Sequence, residues 1–304
     1  MAKEGILHLS YQERRRLARG LIFVSPWLLG LLLLGAYPLI SSIYYSLHRY
    51  DLMRPAVFIG LSNYTELFTT DPTFKQALVN TFCYVGIGVP VSIISAFLAA
   101  TLLNTKMLGR PVFRAIFYFP AIVPATVSAT VWSFLLNPQY GAINATLRAF
   151  KLPIVPFLTS PTYAMPSVIS IAWVWGCGYT MVLFLATLQD VPRELYEAAT
   201  VDGAGAWHKY WNVTIPMCTP VILFNLVTGL IYGFQDFTFL RLLTNGGPGN
   251  ATEVFSLELF KNAFEYLRMG KACAMAWVMF IIVVILTVLL FKSSARVVYY
   301  ADTN

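Results

Sequence analysis

Apolar residues along this chain fall into six long blocks, with polar residues gathered into the short stretches between them. The blocks cover about 21–47, 78–103, 111–136, 163–188, 215–240 and 272–291. A run of about 20 apolar residues is what a helix needs to cross the hydrocarbon of a bilayer. In lipid the backbone must satisfy its own hydrogen bonds, which a helix does. The pattern therefore predicts an all-α integral membrane protein with six transmembrane helices. Pro120 and Pro124 lie inside the third block, where neighbouring helices or water can take up the freed carbonyls.

The polar stretch between the fourth and fifth blocks, 188–216, is the densest in local signals. It holds Asp190, Arg193, Glu194, Glu197, Asp202, His208 and Lys209 between two apolar runs, so it must sit in water. Asp190 reads as an N-cap and Pro192 as a first-turn residue, with Glu194 and Glu197 favouring the positive end of the helix dipole. Asp202-Gly203 breaks that helix, and a second short one is expected over about 204–211 before Pro216 opens the next span. The expectation is a rigid helix-turn-helix peg whose Ala198 and Ala199 are small enough to seat in a partner's groove.

Glu197-Ala198-Ala199, Asp202-Gly203-Ala204 and Val213-x-Ile215-Pro216 together resemble the EAA loop of bacterial ABC importer permeases. The usual pattern is EAA, three residues, Gly, nine residues, then Ile-x-Leu-Pro; Val213 and Ile215 are the departures, both conservative in volume. The stretches 136–144 and 243–252, and Ala263-Phe-Glu-Tyr266 with Met269-Gly270, are similar to the carbohydrate-uptake branch of that family, the maltose and glycerol-phosphate type. The resemblance implies that the peg is a cytoplasmic coupling helix-turn-helix, in which Glu197, Ala198, Ala199, Asp202 and Gly203 meet an ATPase. It also implies a heterodimer with a second homologous permease subunit, two ATP-binding ATPase subunits and an extracytoplasmic solute-binding protein. The activity it implies is ATP-driven uptake of a sugar or related polyol compound, of oligosaccharide, monosaccharide or glycerol-phosphate type, in a bacterial inner or plasma membrane.

Composition supports the class. The chain is 58% hydrophobic and 12% charged, with mean hydropathy +0.66, whereas soluble domains carry about 25% charged residues. Three parts are expected: a basic N-terminal segment 1–20, a six-span domain 21–291 and a tail 292–304. Arg14, Arg15, Arg16 and Arg19 precede the first block, which is too long for a cleaved signal peptide and reads as a signal anchor. With six spans both termini share a side, and that side carries twelve Lys and Arg against nine on the other. The dense N-terminal cluster and the short 104–114 turn place it in the cytoplasm. The net charge of +7 is explained by these membrane-flanking residues and gives no reason to expect nucleic acid.

Candidate chemistry is sparse. No G-x-x-x-x-G-K-[ST] occurs, so an ATPase would be a separate subunit, and no catalytic set, cofactor or metal is expected. Cys83, Cys177, Cys218 and Cys273 read as packing residues, and His8, His48 and His208 as ordinary residues at membrane edges. On the fifth span Asn225, Gly229, Tyr232, Gly233 and Asp236 fall at i, i+4, i+7, i+8 and i+11, one helical face. Asp236 is the single carboxylate expected within a span, where its charge calls for the bundle interior or a wet cavity. On the fourth span Trp175, Gly176, Gly178 and Tyr179 form a second aromatic-plus-small patch. The two faces suit a carbohydrate site, and the resemblance places substrate contacts on the helices flanking the coupling loop. They equally suit close helix packing and an interfacial aromatic belt. An ion-coupled secondary sugar transporter is the alternative function, disfavoured because no internal repeat is visible.

Overall fold

The computed structural model describes residues 11–105 and 107–294. The beginning of the basic N-terminal segment with His8, the Lys106 position and the end of the tail with Arg296 lie outside the described residues. Helices dominate. α1 (Tyr11–Gly30) passes through a π-helical turn, Leu31–Ala36, into α2 (Tyr37–Ser46). A two-residue hairpin pairs β1 (His48–Arg49) with β2 (Val57–Phe58), and α3 (Ser62–Thr69) leads to α4 (Pro72–Asn104). Then come α5 (Arg110–Ile122), α6 (Ala125–Leu135), α7 (Ala142–Ala149), α8 (Pro161–Ile169) and α9 (Gly178–Asp190). The chain closes with α10 (Arg193–Val201), α11 (Ala206–Lys209), α12 (Ile215–Gln235), α13 (Thr238–Leu243), α14 (Phe255–Phe260) and α15 (Met269–Ser294).

Four helices are long and apolar enough to cross a membrane alone, over Arg15–Ser46, Pro72–Asn104, Ala206–Gln235 and Met269–Ser294. The α5–α6 pair and the pair of Pro161–Val174 with α9 qualify only as bent units, which makes six crossings if each is one span. The bend between α5 and α6 is 101°. Pro124 supplies no N–H and drives Val123 out of the helical region, to φ −68 and ψ 129. The third apolar block is thus a sharply broken helix.

α4 is the central element. Asp71 caps it by accepting from the Phe74 N–H at 3.1 Å, and Pro72 occupies its first turn. It packs against α9, α12 and α14, with Phe97 edge-on to Phe184 at 5.1 Å. Lipid tails are as apolar as leucine, so fit between surfaces rather than escape from water holds such helices together. Gly88 illustrates this: a Cβ there would collide with the Trp173 indole, which fills the space instead. α2 leans on α15, where Trp277 donates to Ser42 at 3.0 Å. The apolar window of the first span has no residue buried within this chain.

A polar cap closes the end formed by the α4 N-terminus, α14 and the α15 N-terminus. Asn80 donates to the carbonyls of Asn250 and Glu253, and Thr81 accepts from the Phe255 N–H, all at 2.8 Å. Lys271 is buried and pairs with Asp71 at 2.7 Å and Glu66 at 2.9 Å. Lys271→Met should lower the melting temperature in detergent, since stranding a nearly buried Asp71 costs on the order of 3 kcal/mol. An unchanged melt would show that Asp71 finds water there.

Four expectations need correction. Asp190 ends α9 and caps nothing, because Pro192 holds Val191 extended and α10 can start only at Arg193. The second short helix does not stop near residue 211; α11 continues through a π-helical turn, Tyr210–Thr214, into α12, with Pro216 inside the joined helix. Asp236 lies past the end of α12 in extended backbone rather than within a span. The polar, turn-rich segment 241–271 reads in sequence as carrying an amphipathic helix with Glu253, Glu258, Lys261, Glu265 and Arg268, whose charges would face water; the structure instead buries Glu253 and Glu258, 1% and 5% exposed.

Burial pushes the Glu258 carboxyl up to about 7 from 4.5, the Asn262 hydrogen bond opposing and Glu253 and Asp71 adding to it. The folded state then keeps a proton that the unfolded chain releases, so stability falls as pH rises from about 4.5 to about 7. Asp71, whose carboxyl is held below its usual range, acts only at lower pH. The protein should melt lower at about pH 8 than at about pH 5; Glu253, also raised by burial, acts in the same direction, and Glu258→Gln should reduce the difference. A wild type that melts alike at both would contradict the burial effect.

Candidate functional site

The residues singled out on the fourth and fifth apolar blocks converge. Gly176, Tyr179, Asn225, Gly229 and Tyr232 line one cavity of 390 Å³ between α4, α9 and α12. Tyr232, Gly233 and Asp236 line an adjoining one of 370 Å³, and Trp173 belongs to the walls of both. Helical spacing explains the convergence: residues four and seven apart share a face, and α12 turns that face toward α4.

The glycines of α12 serve packing and space together. A Cβ at Gly229 would come within 3.0 Å of Val89, and one at Gly233 within 3.0 Å of Val85 and 3.1 Å of Trp173. Their absent side chains let α4 and the indole approach, while Tyr232 keeps its ring free in the cavity mouth, 71% exposed. Tyr179 is likewise 61% exposed. Asn225 is buried and donates to the Val221 carbonyl at 2.8 Å. Gly178 stays out of the cavity: a Cβ there would strike the Phe117 carbonyl, so it is a seam between α9 and α5. The Trp175 side chain lies outside the described residues.

Asp236 accepts from the Tyr84 hydroxyl at 2.7 Å, and its carbonyl accepts from Ser256 at 2.7 Å. The carboxylate thus tethers the end of α12 to α4, and the backbone carbonyl tethers it to α14, beside the second cavity. The α4 wall was missed by sequence reasoning. Val89, Ser92 and Ile93 face the first cavity, but α4 is apolar over most of its circumference and one hydroxyl gives no periodic signal. Trp173 was missed because it sits in a π-helical turn, Ser170–Trp175, which shifts the register on which a face is counted.

At the other end of the same helices, α10 and α11 project from the bundle. α10 has no buried residue: Glu197, Ala198, Asp202 and Gly203 are exposed, and Ala199 is half-buried. Gly203 sits at φ 77, with its N–H bonded to the Thr200 carbonyl at 3.0 Å and the Ala204 N–H to the Ala199 carbonyl at 2.8 Å. This is a Schellman ending, whose left-handed residue is glycine for lack of a Cβ. Lys209 donates to Thr200 at 2.7 Å, and the hydroxyls of Tyr196 and Thr214 lie 3.0 Å apart, bracing one arm against the other. Among the described residues no cluster of three His, Cys, Asp or Glu side chains could hold a metal. What the arrangement offers is a neutral, aromatic and hydroxyl-bearing cavity whose walls continue into an exposed, braced projection.

A family model described as "Binding-protein-dependent transport system inner membrane component" matches residues 88–300. The chain is 39% identical over 285 residues to the probable ABC transporter permease protein YesP of Bacillus subtilis (strain 168), covering 92% of each. It is 31% identical over 287 residues to the trehalose/maltose transport system permease protein MalF of Thermococcus litoralis, covering 93% of this chain and 95% of that one. A solved chain from a bacterial alginate ABC transporter, in complex with an alginate pentasaccharide-bound periplasmic protein, superposes with a TM-score of 0.83. The likeness covers 94% of this chain and 97% of that one at 22% identity, and so concerns the fold.

Proposed function

The chain belongs to the family of binding-protein-dependent transport system inner membrane components and is a permease subunit of an ABC importer; on that premise we propose how it works. It contributes one half of a pathway of six crossings per subunit, paired with a second homologous permease. Both termini and the α10–α11 projection face the cytoplasm, where two ATPase subunits dock. A solute-binding protein delivers the cargo from outside. The observation that carries this reading is the continuity of α9 and α12, which wall the cavity at one place and run into the projection at the other.

The substrate class follows from the lining. Tyr179 and Tyr232 offer faces on which a sugar ring stacks, and Ser92, Thr180, Thr228 and Asn225 offer groups that can bond hydroxyls. Among the described residues no lysine or arginine lines either cavity, and Asp236 borders the second. A phosphorylated or carboxylated cargo would meet no compensating charge there, so the cargo is a neutral sugar or polyol. Relatives named for sn-glycerol-3-phosphate and for lactose transport mark the range of the family.

Reconstitution in liposomes with the second permease, the ATPase and the binding protein tests this. Uptake should require ATP and the binding protein, and neutral oligosaccharides should compete while phosphorylated ones do not. Uptake by the single chain driven by a sodium or proton gradient would instead establish ion-coupled secondary transport.

A further inference from the structure

Two guanidiniums converge on one neutral acceptor at the end of the bundle from which α10 projects. Arg110 and Arg114 are four residues apart on the first turns of α5, and Gln189 faces them from the last turn of α9. With its amide oxygen turned toward them, Gln189 accepts from Nη2 of Arg110 and Nη2 of Arg114, each at 2.9 Å. A guanidinium carries five N–H donors, and here both Nε groups are buried without a hydrogen-bond partner. Among the described residues, neither arginine forms an ion pair. Like charges four apart on a helix repel, and the N-terminal end of α5 adds further positive potential. The fold therefore concentrates positive charge where its own chain supplies one amide oxygen.

The same turns present bare apolar surface. Leu108, Val112 and Phe113 are 99%, 62% and 42% exposed. We infer that Arg110, Arg114 and Gln189 hold the phosphodiester headgroup of an anionic phospholipid, its acyl chains lying along Leu108, Val112 and Phe113. Guanidinium forks match phosphate oxygens two at a time, and the cytoplasmic leaflet is the one rich in anionic lipid. A soluble phosphate would find the same donors but has no use for the apolar wall. This site is independent of the cargo cavity.

The test uses the full chain in mild detergent, stripped of lipid, then titrated with phosphatidylglycerol, phosphatidylcholine or inorganic phosphate while thermal unfolding is followed. Phosphatidylglycerol should bind at least about tenfold more tightly than phosphatidylcholine, and inorganic phosphate should leave the melt unmoved. The Arg110→Gln/Arg114→Gln variant should reduce that preference to within about twofold. Gln189→Glu, which supplies an internal anion and leaves both arginines in place, should do the same. A preference that survives in these variants overturns the inference. Inorganic phosphate matching the lipid overturns it in favour of a soluble anion. Loss of the preference on docking the ATPase overturns it in favour of a partner's carboxylate. Should neither variant fold, native mass spectrometry of the wild type decides: selective retention of phosphatidylglycerol supports the site, and equal retention of both lipids removes it.

Discussion

Gly203→Val and Ala199→Leu should each cut uptake and cargo-stimulated ATP hydrolysis together, by tenfold or more, in an assembled complex that still engages its loaded binding protein. Gly203 lies at φ 77, and a Cβ there would touch nothing within 4 Å. The penalty is therefore one of backbone alone, roughly 1–2 kcal/mol for an ordinary residue and more for a β-branched one. Relief comes by abandoning the left-handed turn, which releases the bonds from Gly203 and Ala204 to Thr200 and Ala199 and re-aims α11. Asparagine tolerates that region, so Gly203→Asn should keep most of the activity. Ala199 is half-buried on the exposed face of α10, and a leucine there holds a partner's groove away by its extra volume. Cysteine crosslinking from position 198 to the ATPase reads docking directly. Full uptake and normal crosslinking in both variants would remove the coupling role from this loop.

Tyr179→Ala should lower uptake by about tenfold or more while leaving assembly and basal ATP hydrolysis intact. The ring is 61% exposed within the chain, so truncating it removes cavity wall and little internal packing. Tyr179→Phe should retain most of the uptake if ring stacking is what counts, and lose it if the hydroxyl bonds the cargo. Asp236→Ala is expected to behave differently. It breaks the 2.7 Å bond to Tyr84 and frees the end of α12 from α4, so protein yield and uptake should fall in parallel. If the tyrosine variant also lost assembly in step with uptake, its ring would be part of a packing surface between the two permeases instead.

What could be read from the sequence was what repeats at fixed spacing. The α12 face from Asn225 to Gly233 follows helical period over a straight helix, and the structure gathers these residues around the two cavities. The α10–α11 turn was legible because its signals are local, a Gly following a short acidic helix. Asp236 was misplaced because the apolar block runs on past the end of α12; besides a local bond from the Phe239 N–H, the contacts that hold it come from Tyr84 and Ser256, on other helices. Glu253 and Glu258 looked solvated because charge is normally exposed. Their burial rests on Lys261 for the one and Asn262 for the other. Pro120 and Pro124 read as prolines tolerated inside the third block, whereas Pro124 breaks it, and the 101° angle depends on what α6 packs against, which sequence does not state.

The short path from α9 through the projection into α12 has a bearing on engineering. On the proposed roles, a chimera that takes this segment from a relative acquires one cavity wall and the proposed ATPase-docking surface as a single module, so cargo choice and ATPase compatibility should transfer together. The opposing wall, Val89 to Ile93, stays with the host. Grafts that leave it behind should assemble and hydrolyse ATP yet discriminate cargo poorly, and restoring five residues of α4 is the economical repair.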